Sequence, residues 1–202
     1  MAHDPETDLV LACQRVEPQA LEGEFRELYA RFKDRVFNVC YRITGNPTDA
    51  LDASQETFGI VFRRIREFRF QSRFSSWVYR IAVNASIDLR RRTRTRRLAS
   101  LDSIRETRAA AGSGFEIQDQ AVEMPSATAS RRELEAEIQR AITRLSEKLG
   151  AIIVLRYNEN LSYEEIAETL QISLGTVKSR LSRAHDALNR ELTPVLDKHY
   201  LG

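Results

Sequence analysis

Apolar side chains recur three or four residues apart along most of the chain, which is the spacing of amphipathic helices. In the first half, the pattern predicts a short helix around residues 9–13, a long one over 25–43, a third that includes 58–65 and a fourth that includes 74–89. Four helices with apolar faces can bury one common core. We therefore expect residues 6–97 to form a compact helical domain.

Short polar sequences mark the ends of these helices. Gly45 stands where the long helix should stop, since glycine adopts the left-handed conformation of a helix C-cap at little cost. Asn46 or Thr48 can cap the third helix, with Pro47 near its first turn. We expect the fourth helix to begin after Ser72.

The periodicity fails over residues 98–130. This segment contains AAAGSG at 109–114, a proline at 125, and five acidic residues against two arginines, a local balance of −3. Such a composition buries too little apolar surface to fold alone. We expect a flexible acidic linker here.

Helical periodicity resumes over residues 131–197 and includes two short helices joined by a tight turn at 161–185. Ser162 and Glu165 have the spacing of a capping box, and Ser173 can cap the second helix. Apolar residues three and four apart then give the second helix a buried stripe. The pattern predicts a helix-turn-helix in a second small domain, so the expected fold class is all-α.

The outward face of that second helix carries short polar and cationic side chains. Cations and helix N-terminal amides can hold phosphates, while hydroxyl and cationic groups can hydrogen-bond to base edges. An ordinary helical hairpin with a solvated face is the alternative interpretation, and a helix-turn-helix alone defines no function. The candidate residues for duplex DNA are Ser173, Thr176, Lys178, Ser179, Ser182 and Arg183.

The distribution of charge is more informative than its total. The 202 residues carry a net charge of +2, whereas residues 63–97 hold twelve arginines against two acids, a local balance of +10. Aromatic side chains are interleaved with these arginines, a mixture that suits single-stranded nucleic acid because stacking contributes about 1 to 3 kcal/mol per base. For Phe74, Trp77 and Val78 core packing is the favoured interpretation, with part of Trp77 exposed. The polar residues of the loop at 70–73 have no core role, so this loop is the stronger candidate for binding single-stranded nucleic acid.

A second group of charged residues lies in the third helix. Asp49, Asp52 and Glu56, with Gln55 beside them, share a helix face that has almost no positive neighbours. One helix seldom supplies a full metal coordination shell, and no histidine joins these carboxylates. The pattern favours a docking surface for a protein partner over a metal site, with a merely solvated face as a further alternative.

Several classes of protein are disfavoured. Cys13 and Cys40 lie far apart without a CxxC motif or a nearby histidine pair, so neither a disulfide framework nor a zinc site is indicated. No apolar run approaches the length that spans a bilayer, and the acidic N-terminus lacks the features of a signal peptide. We expect a cytoplasmic protein without direct membrane insertion, cofactor, metal site or catalytic residue.

Three motifs occur in a defined order along the chain: DALDASQETF at 49–58, FSSWVYRIAVN at 74–84, and the pair LSYEEIA at 161–167 and GTVKSRL at 175–181. In this order and spacing they resemble the successive motifs of the extracytoplasmic-function (ECF) sigma factors of bacteria, over nearly the whole chain outside the linker. The resemblance implies a subunit that joins core RNA polymerase, directs it to promoter DNA and helps to open the duplex. It also implies control by an anti-sigma factor.

The resemblance implies roles for two of the helices. It implies that Asp52, Gln55, Glu56 and Phe58 dock on the coiled coil of the largest polymerase subunit, and Asp49 shares their face. The candidate residues of the recognition helix would contact the upstream promoter element. The acidic linker resembles the segment that these factors thread through the RNA path of the polymerase.

For the arginine-rich segment, the resemblance implies that the downstream promoter element is read and that the melted non-template strand is held. The loop at 70–74 resembles the pocket that receives a flipped base, and the arginines at 90–92 would hold phosphates. The expected contact residues are Arg69, Phe70, Gln71, Ser72, Arg73, Trp77, Arg80, Asn84, Arg90, Arg91 and Arg92.

Some positions depart from the family pattern. Gln171 stands where the family generally has a turn glycine, so a strained or shifted turn is expected. Gly59 lies inside the docking helix and costs about 0.5 to 1 kcal/mol relative to alanine. The other departures are Leu51, Ser54, Ser146 and His185.

Three hypotheses of different classes remain, and we favour them in the following order. An initiation factor explains all of the motifs. A stand-alone helix-turn-helix transcriptional regulator would leave the surface at 70–84 unexplained. A metal-dependent nuclease that uses the acidic face of the third helix lacks a base or a second carboxylate cluster.

Overall fold

The computed structural model describes residues 5–17, 19–107 and 126–200, and each element assigned within these ranges is helical. The all-α fold class is therefore confirmed. The elements are α1 (Pro5–Arg15), α2 (Leu21–Thr44), α3 (Pro47–Arg64), a 3-10 turn at Ile65–Glu67, α4 (Phe74–Thr107), α5 (Ser126–Arg144), α6 (Glu147–Tyr157), α7 (Tyr163–Leu170) and α8 (Leu174–Tyr200).

Helix α2 lies at the centre of the N-terminal group and packs against α1, α3 and α4. Its buried positions follow the spacing that the sequence predicts, with Phe32, Val36 and Val39 all inaccessible to solvent or nearly so. The ring of Phe32 meets that of Phe74 edge to face, with 5.5 Å between centroids. Tyr79 of α4 is also fully buried in this core.

The junction between α2 and α3 has the predicted chemistry. Gly45 takes a φ of 73°, the left-handed C-cap conformation, and its N–H donates to the Tyr41 carbonyl at 2.8 Å. The side chain of Asn46 then accepts hydrogen bonds from the N–H groups of Thr48 at 2.8 Å and Asp49 at 3.1 Å. These bonds satisfy donors that the first turn of a helix leaves free.

Replacement of Gly45 by alanine is expected to lower the free energy of unfolding by about 1 to 2 kcal/mol, because a left-handed residue with a Cβ is strained. The added Cβ would also clash with Cγ2 of Thr143 in α5. Urea unfolding followed by circular dichroism measures this change. Gly23→Ala is the matched control, since its Cβ would meet nothing within 4 Å. Equal stabilities of the two variants would contradict the assignment.

The C-terminal group consists of α5 to α8. Ile152 and Leu155 of α6, Ile166 of α7 and Val177 of α8 are fully buried. The predicted apolar stripe of the recognition helix continues through Leu181, which is also buried. The turn between α7 and α8 therefore joins two helices that share one core.

Helix α4 ends at Thr107 and α5 begins at Ser126, so helical structure extends into both ends of the segment 98–130. The loss of apolar periodicity there does not end α4, since residues 98–107 contain neither glycine nor proline. The AAAGSG sequence and residues 108–125 as a whole lie outside the described residues. The domain limits 6–97 and 131–197, and the flexible linker between them, therefore remain predictions.

The N-terminal and C-terminal groups pack against each other. Helix α2 contacts α5 and α6, and α4 contacts α7. Buried apolar side chains of both groups belong to one continuous cluster. Within the described part of the chain, no helix combines the length and apolar character needed to cross a membrane.

Candidate nucleic-acid interface

The connection between α3 and α4 surrounds an open cavity of about 530 Å³. Five of the residues predicted to contact melted DNA meet there, although they are spread over twelve positions of the sequence. The full lining is Arg64, Arg66, Glu67, Phe68, Arg69, Gln71, Ser72, Trp77 and Arg80. A cationic rim with an aromatic wall can hold phosphates and stack on bases.

An aromatic cluster supports this cavity. The ring of Phe68 lies 5.0 Å from Phe70, 5.4 Å from Phe74 and 5.2 Å from Trp77, measured between centroids. Phe74 and Val78 are buried, whereas Trp77 is partly exposed, as the core interpretation predicts. Phe70 is 40% exposed and has a φ of 55°, so the strained loop holds an aromatic ring in solvent.

A side chain of α1 holds the turn that precedes this loop. The side-chain amide of Gln14 donates to the carbonyl oxygens of Ile65 and Phe68, both at 2.8 Å. Arg66 also donates to the Val16 carbonyl. No local pattern predicts these contacts, because Gln14 precedes the residues it contacts by more than fifty positions.

The remaining residues predicted for the downstream element lie outside this cavity. Arg73 is paired with Glu165 of α7. Asn84 and Arg91 line a second cavity of about 320 Å³ together with Arg180 of the recognition helix. Arg92 is exposed on α4.

Arg90 is engaged in packing. Its guanidinium donates to the carbonyl oxygens of Thr143 and, at 3.1 Å, Leu145, at the C-terminal end of α5. Its burial lowers the pKa of the guanidinium. In this arrangement Arg90 joins the two helical groups, and it also lines an open cavity of about 440 Å³ together with Arg94.

The helix-turn-helix begins with the predicted capping box. Ser162 Oγ accepts from the Glu165 N–H at 3.1 Å, and a Glu165 carboxylate oxygen accepts from the Ser162 N–H at 2.8 Å. The latter hydrogen bond, more than any other interaction, lowers the pKa of the Glu165 carboxyl. Gln171 closes the turn with a φ of 53°, so the strain expected from the missing glycine is present.

The recognition helix α8 is capped by Ser173, whose Oγ accepts from the Thr176 N–H at 3.1 Å. Arg183 Nε donates to the Ser179 carbonyl oxygen at 3.3 Å, which aligns its side chain along the helix. Solvent-exposed positions on this side of α8 include Lys178, Ser179, Ser182 and Arg183. The predicted residues therefore form a continuous polar surface opposite the buried stripe.

The acidic surface of α3 is only partly as predicted. Asp52, Gln55 and Glu56 are exposed, and Asp49 is partly exposed in the first turn. Phe58 is buried instead, because it packs against the rings of Phe25 and Tyr29 on α2. Phe58 can therefore stabilise the position of α3 but is not itself part of the exposed acidic surface.

Three exposed apolar residues on α2 and α3 were not predicted to be part of this surface. Tyr29 is 44%, Leu51 50% and Phe62 37% exposed. For Leu51 and Phe62 the sequence contains a usable pattern, since positions 51, 55, 58 and 62 follow helical spacing along one side of α3 and so place both residues next to Gln55. Among the described residues, no group of three or more histidine, cysteine, aspartate or glutamate side chains is arranged to hold a metal ion.

These features define an all-helical protein with a basic, aromatic cavity and a helix-turn-helix. Two family profiles match it: Sigma-70 region 2 over residues 28–96 and Sigma-70, region 4 over residues 135–188. The chain is 34% identical to the ECF RNA polymerase sigma factor SigW of Bacillus subtilis over 174 residues, 85% of this chain and 90% of that protein. It is 31% identical to the RNA polymerase sigma-H factor of Pseudomonas aeruginosa over 196 residues, 97% of this chain and 98% of that protein.

Two solved structures have a similar fold. CnrH in complex with the cytosolic domain of CnrY matches with a TM-score of 0.66 and 22% identity over 95% of this chain and 99% of that chain. The sigma factor RpoE in complex with the anti-sigma factor NepR from Bartonella quintana matches with a TM-score of 0.54 and 18% identity over 84% of this chain and 97% of that chain. The chain belongs to the ECF RNA polymerase sigma factors, which are transcription initiation factors and not enzymes.

Proposed function

We propose that this sigma factor uses its three surfaces on one polymerase complex at a promoter. Helix α3 docks on core RNA polymerase. The loop at 70–73 and the first turns of α4 hold the melted non-template strand, and α8 contacts the duplex of the upstream element. No single helix carries all three contacts, so both helical groups are needed.

The cavity between α3 and α4 is the observation that carries this proposal. Arg69 and Arg80 in its lining can donate bidentate hydrogen bonds to phosphates. Trp77 in its wall and the exposed Phe70 next to Phe68 offer aromatic surface to an unstacked base. A base inside a duplex is already stacked on its neighbours, so these side chains gain contact only after the strands separate. The surface therefore favours the open state of the promoter.

The composition of the α3 surface supports docking on a protein. Exposed carboxylates at Asp52 and Glu56 lie on the same helix as the exposed apolar side chains of Leu51 and Phe62. Protein interfaces commonly combine apolar anchors with a polar rim that sets orientation. We propose a basic, partly apolar surface of the polymerase as the partner.

We also propose that an anti-sigma factor controls the protein in the bacterial cytoplasm. An apolar groove of about 260 Å³, formed mostly by the C-terminal group with Arg42 of α2 at one side, supports a protein partner. Ile138, Ile142, Ile153 and Leu188 line it, and the exposed Tyr157 stands at its edge. A groove of this kind can receive the apolar side of an amphipathic helix.

The proposal is tested by run-off transcription with sigma-free core polymerase. The template carries a promoter found by mapping transcript starts after overexpression of the protein. We expect promoter-specific transcripts only when the purified protein is added. Specific binding to duplex DNA by the protein alone, without any transcript, would favour the stand-alone regulator instead.

Truncation of the polar docking residues is expected to weaken the polymerase complex. Gln55→Ala combined with Glu56→Ala should lower the affinity for core polymerase by roughly tenfold, because both side chains are exposed on the proposed contact surface. Isothermal titration calorimetry measures the affinity. Asp34→Ala, which removes an exposed carboxylate from α2, is the control. Unchanged affinity of the double variant would refute the docking role.

A further inference from the structure

The turn before the loop at 70–73 receives both donors of one side-chain amide. Residues Ile65–Glu67 form the 3-10 turn, which is closed by a hydrogen bond from the Phe68 N–H to the Ile65 carbonyl oxygen at 3.2 Å. The Gln14 amide nitrogen carries two N–H groups, and it donates to the Ile65 and Phe68 carbonyl oxygens, both at 2.8 Å. One side chain therefore holds the first residue of the turn and the residue that leaves it.

Helix α1 presents Gln14 from a fixed position. Val10 and Cys13 of α1 are fully buried, and the helix packs against α2, α4 and the 3-10 turn. A second hydrogen bond runs in the opposite direction, from Arg66 of the turn to the Val16 carbonyl oxygen just after α1. The end of α1 and the turn are thus joined from both sides.

The loop that follows is held in a strained conformation. Phe70 has a φ of 55°, which a residue with a Cβ keeps only when its surroundings fix it. Phe68 supplies part of that support, since its ring is 8% exposed and lies 5.0 Å from the ring of Phe70 and 5.2 Å from that of Trp77. Because Gln14 holds the backbone of Phe68, a displaced turn would move both rings that the single strand is proposed to use.

We propose that Gln14 is a positioning residue for base capture, which keeps the turn and the loop in their binding geometry before DNA arrives. A loop that must become ordered on binding lowers affinity, and stacking on a base requires a correctly placed ring. Attraction between arginines and phosphates depends much less on this geometry. This inference rests on the proposed function of the loop and its cavity.

The test variant is Gln14→Met, which keeps the length of the side chain and removes both donors. Gln19→Met is the matched control, since it makes the same substitution at an exposed position shortly after α1. Trp77 is the only tryptophan of the chain, so acrylamide quenching of its fluorescence in the free protein reports on the wall of the cavity. We expect stronger quenching in Gln14→Met than in Gln19→Met. Identical quenching would contradict the proposed loosening of the loop.

Binding of single strands by the complex with core RNA polymerase tests the effect on bases. One fluorescein-labelled strand carries the non-template sequence of the mapped promoter, and a second has abasic sites throughout its downstream element. Fluorescence anisotropy, corrected for binding by core polymerase alone, should show roughly 3- to 10-fold weaker binding of the intact strand by Gln14→Met than by Gln19→Met. We expect equal affinities of the two variants for the abasic strand, and an unchanged dependence of affinity on salt, because the phosphate contacts remain.

A merely structural role of Gln14 would weaken binding of the intact and the abasic strand equally, and that result would overturn the proposal. An unchanged affinity for the intact strand would also overturn it. The wild-type complex distinguishes these results from failure of the proposed function. If the wild type binds both strands equally, the cavity does not hold bases and the proposed function of the loop fails together with this inference. If its binding depends on bases and Gln14→Met behaves in the same way, only the positioning role is refuted.

Discussion

Phe32→Ala is expected to lower the free energy of unfolding by about 3 to 5 kcal/mol, the usual cost of deleting a fully buried phenylalanine. Phe32 is 1% exposed at the centre of α2, and its ring meets Phe74 edge to face. Its loss removes apolar burial and leaves a cavity that neighbouring helices fill only in part. Since proteins of this size are stable by about 5 to 15 kcal/mol, much of the native stability would be lost.

Urea unfolding followed by far-ultraviolet circular dichroism measures the effect of Phe32→Ala. Phe37→Ala is the matched control, because Phe37 lies on the same helix but is only partly buried, stacked on Tyr41 with 6.3 Å between centroids. We expect the control to cost clearly less. Similar losses in both variants would show that the core of the N-terminal group is not centred on Phe32.

Local sequence rules accounted for most of the fold. Gly45, Asn46 and Ser162 determine helix ends through interactions with residues only a few positions away, so their roles can be inferred without tertiary structure. The apolar stripes of α2 and α8 likewise depend on helical periodicity alone. These features are observed where the sequence predicts them.

Contacts between distant parts of the chain could not be predicted in this way. Gln14 fixes the loop before α4 through two carbonyl groups, and Glu159 is buried against Arg35 from the other helical group. Neither residue belongs to a local pattern. The burial of Phe58 was not predicted for the same reason. Its place in a motif of α3 says nothing about Phe25 and Tyr29 of α2, whose rings cover it.

Arg183→Ala is expected to reduce transcription from the mapped promoter by roughly 10- to 100-fold, the effect of losing one specific DNA contact. Arg183 is exposed in the N-terminal half of α8, the part of a recognition helix that reaches base edges. Its Nε is held by the Ser179 carbonyl oxygen at 3.3 Å, so the guanidinium is already aligned when DNA arrives. Footprinting of the polymerase complex over the upstream element should show weaker protection.

Arg190→Ala provides a closely matched control for this variant. Arg190 lies two helical turns further along the same side of α8, and its Nε donates to the Asp186 carbonyl oxygen at 3.3 Å, the same local geometry. The displacement of about 10 Å along the helix takes it away from the end that enters the groove. We therefore expect near-normal transcription and footprint for Arg190→Ala. If both variants lose protection equally, the effect is one of total positive charge, and Arg183 has no specific role in contacting the upstream element.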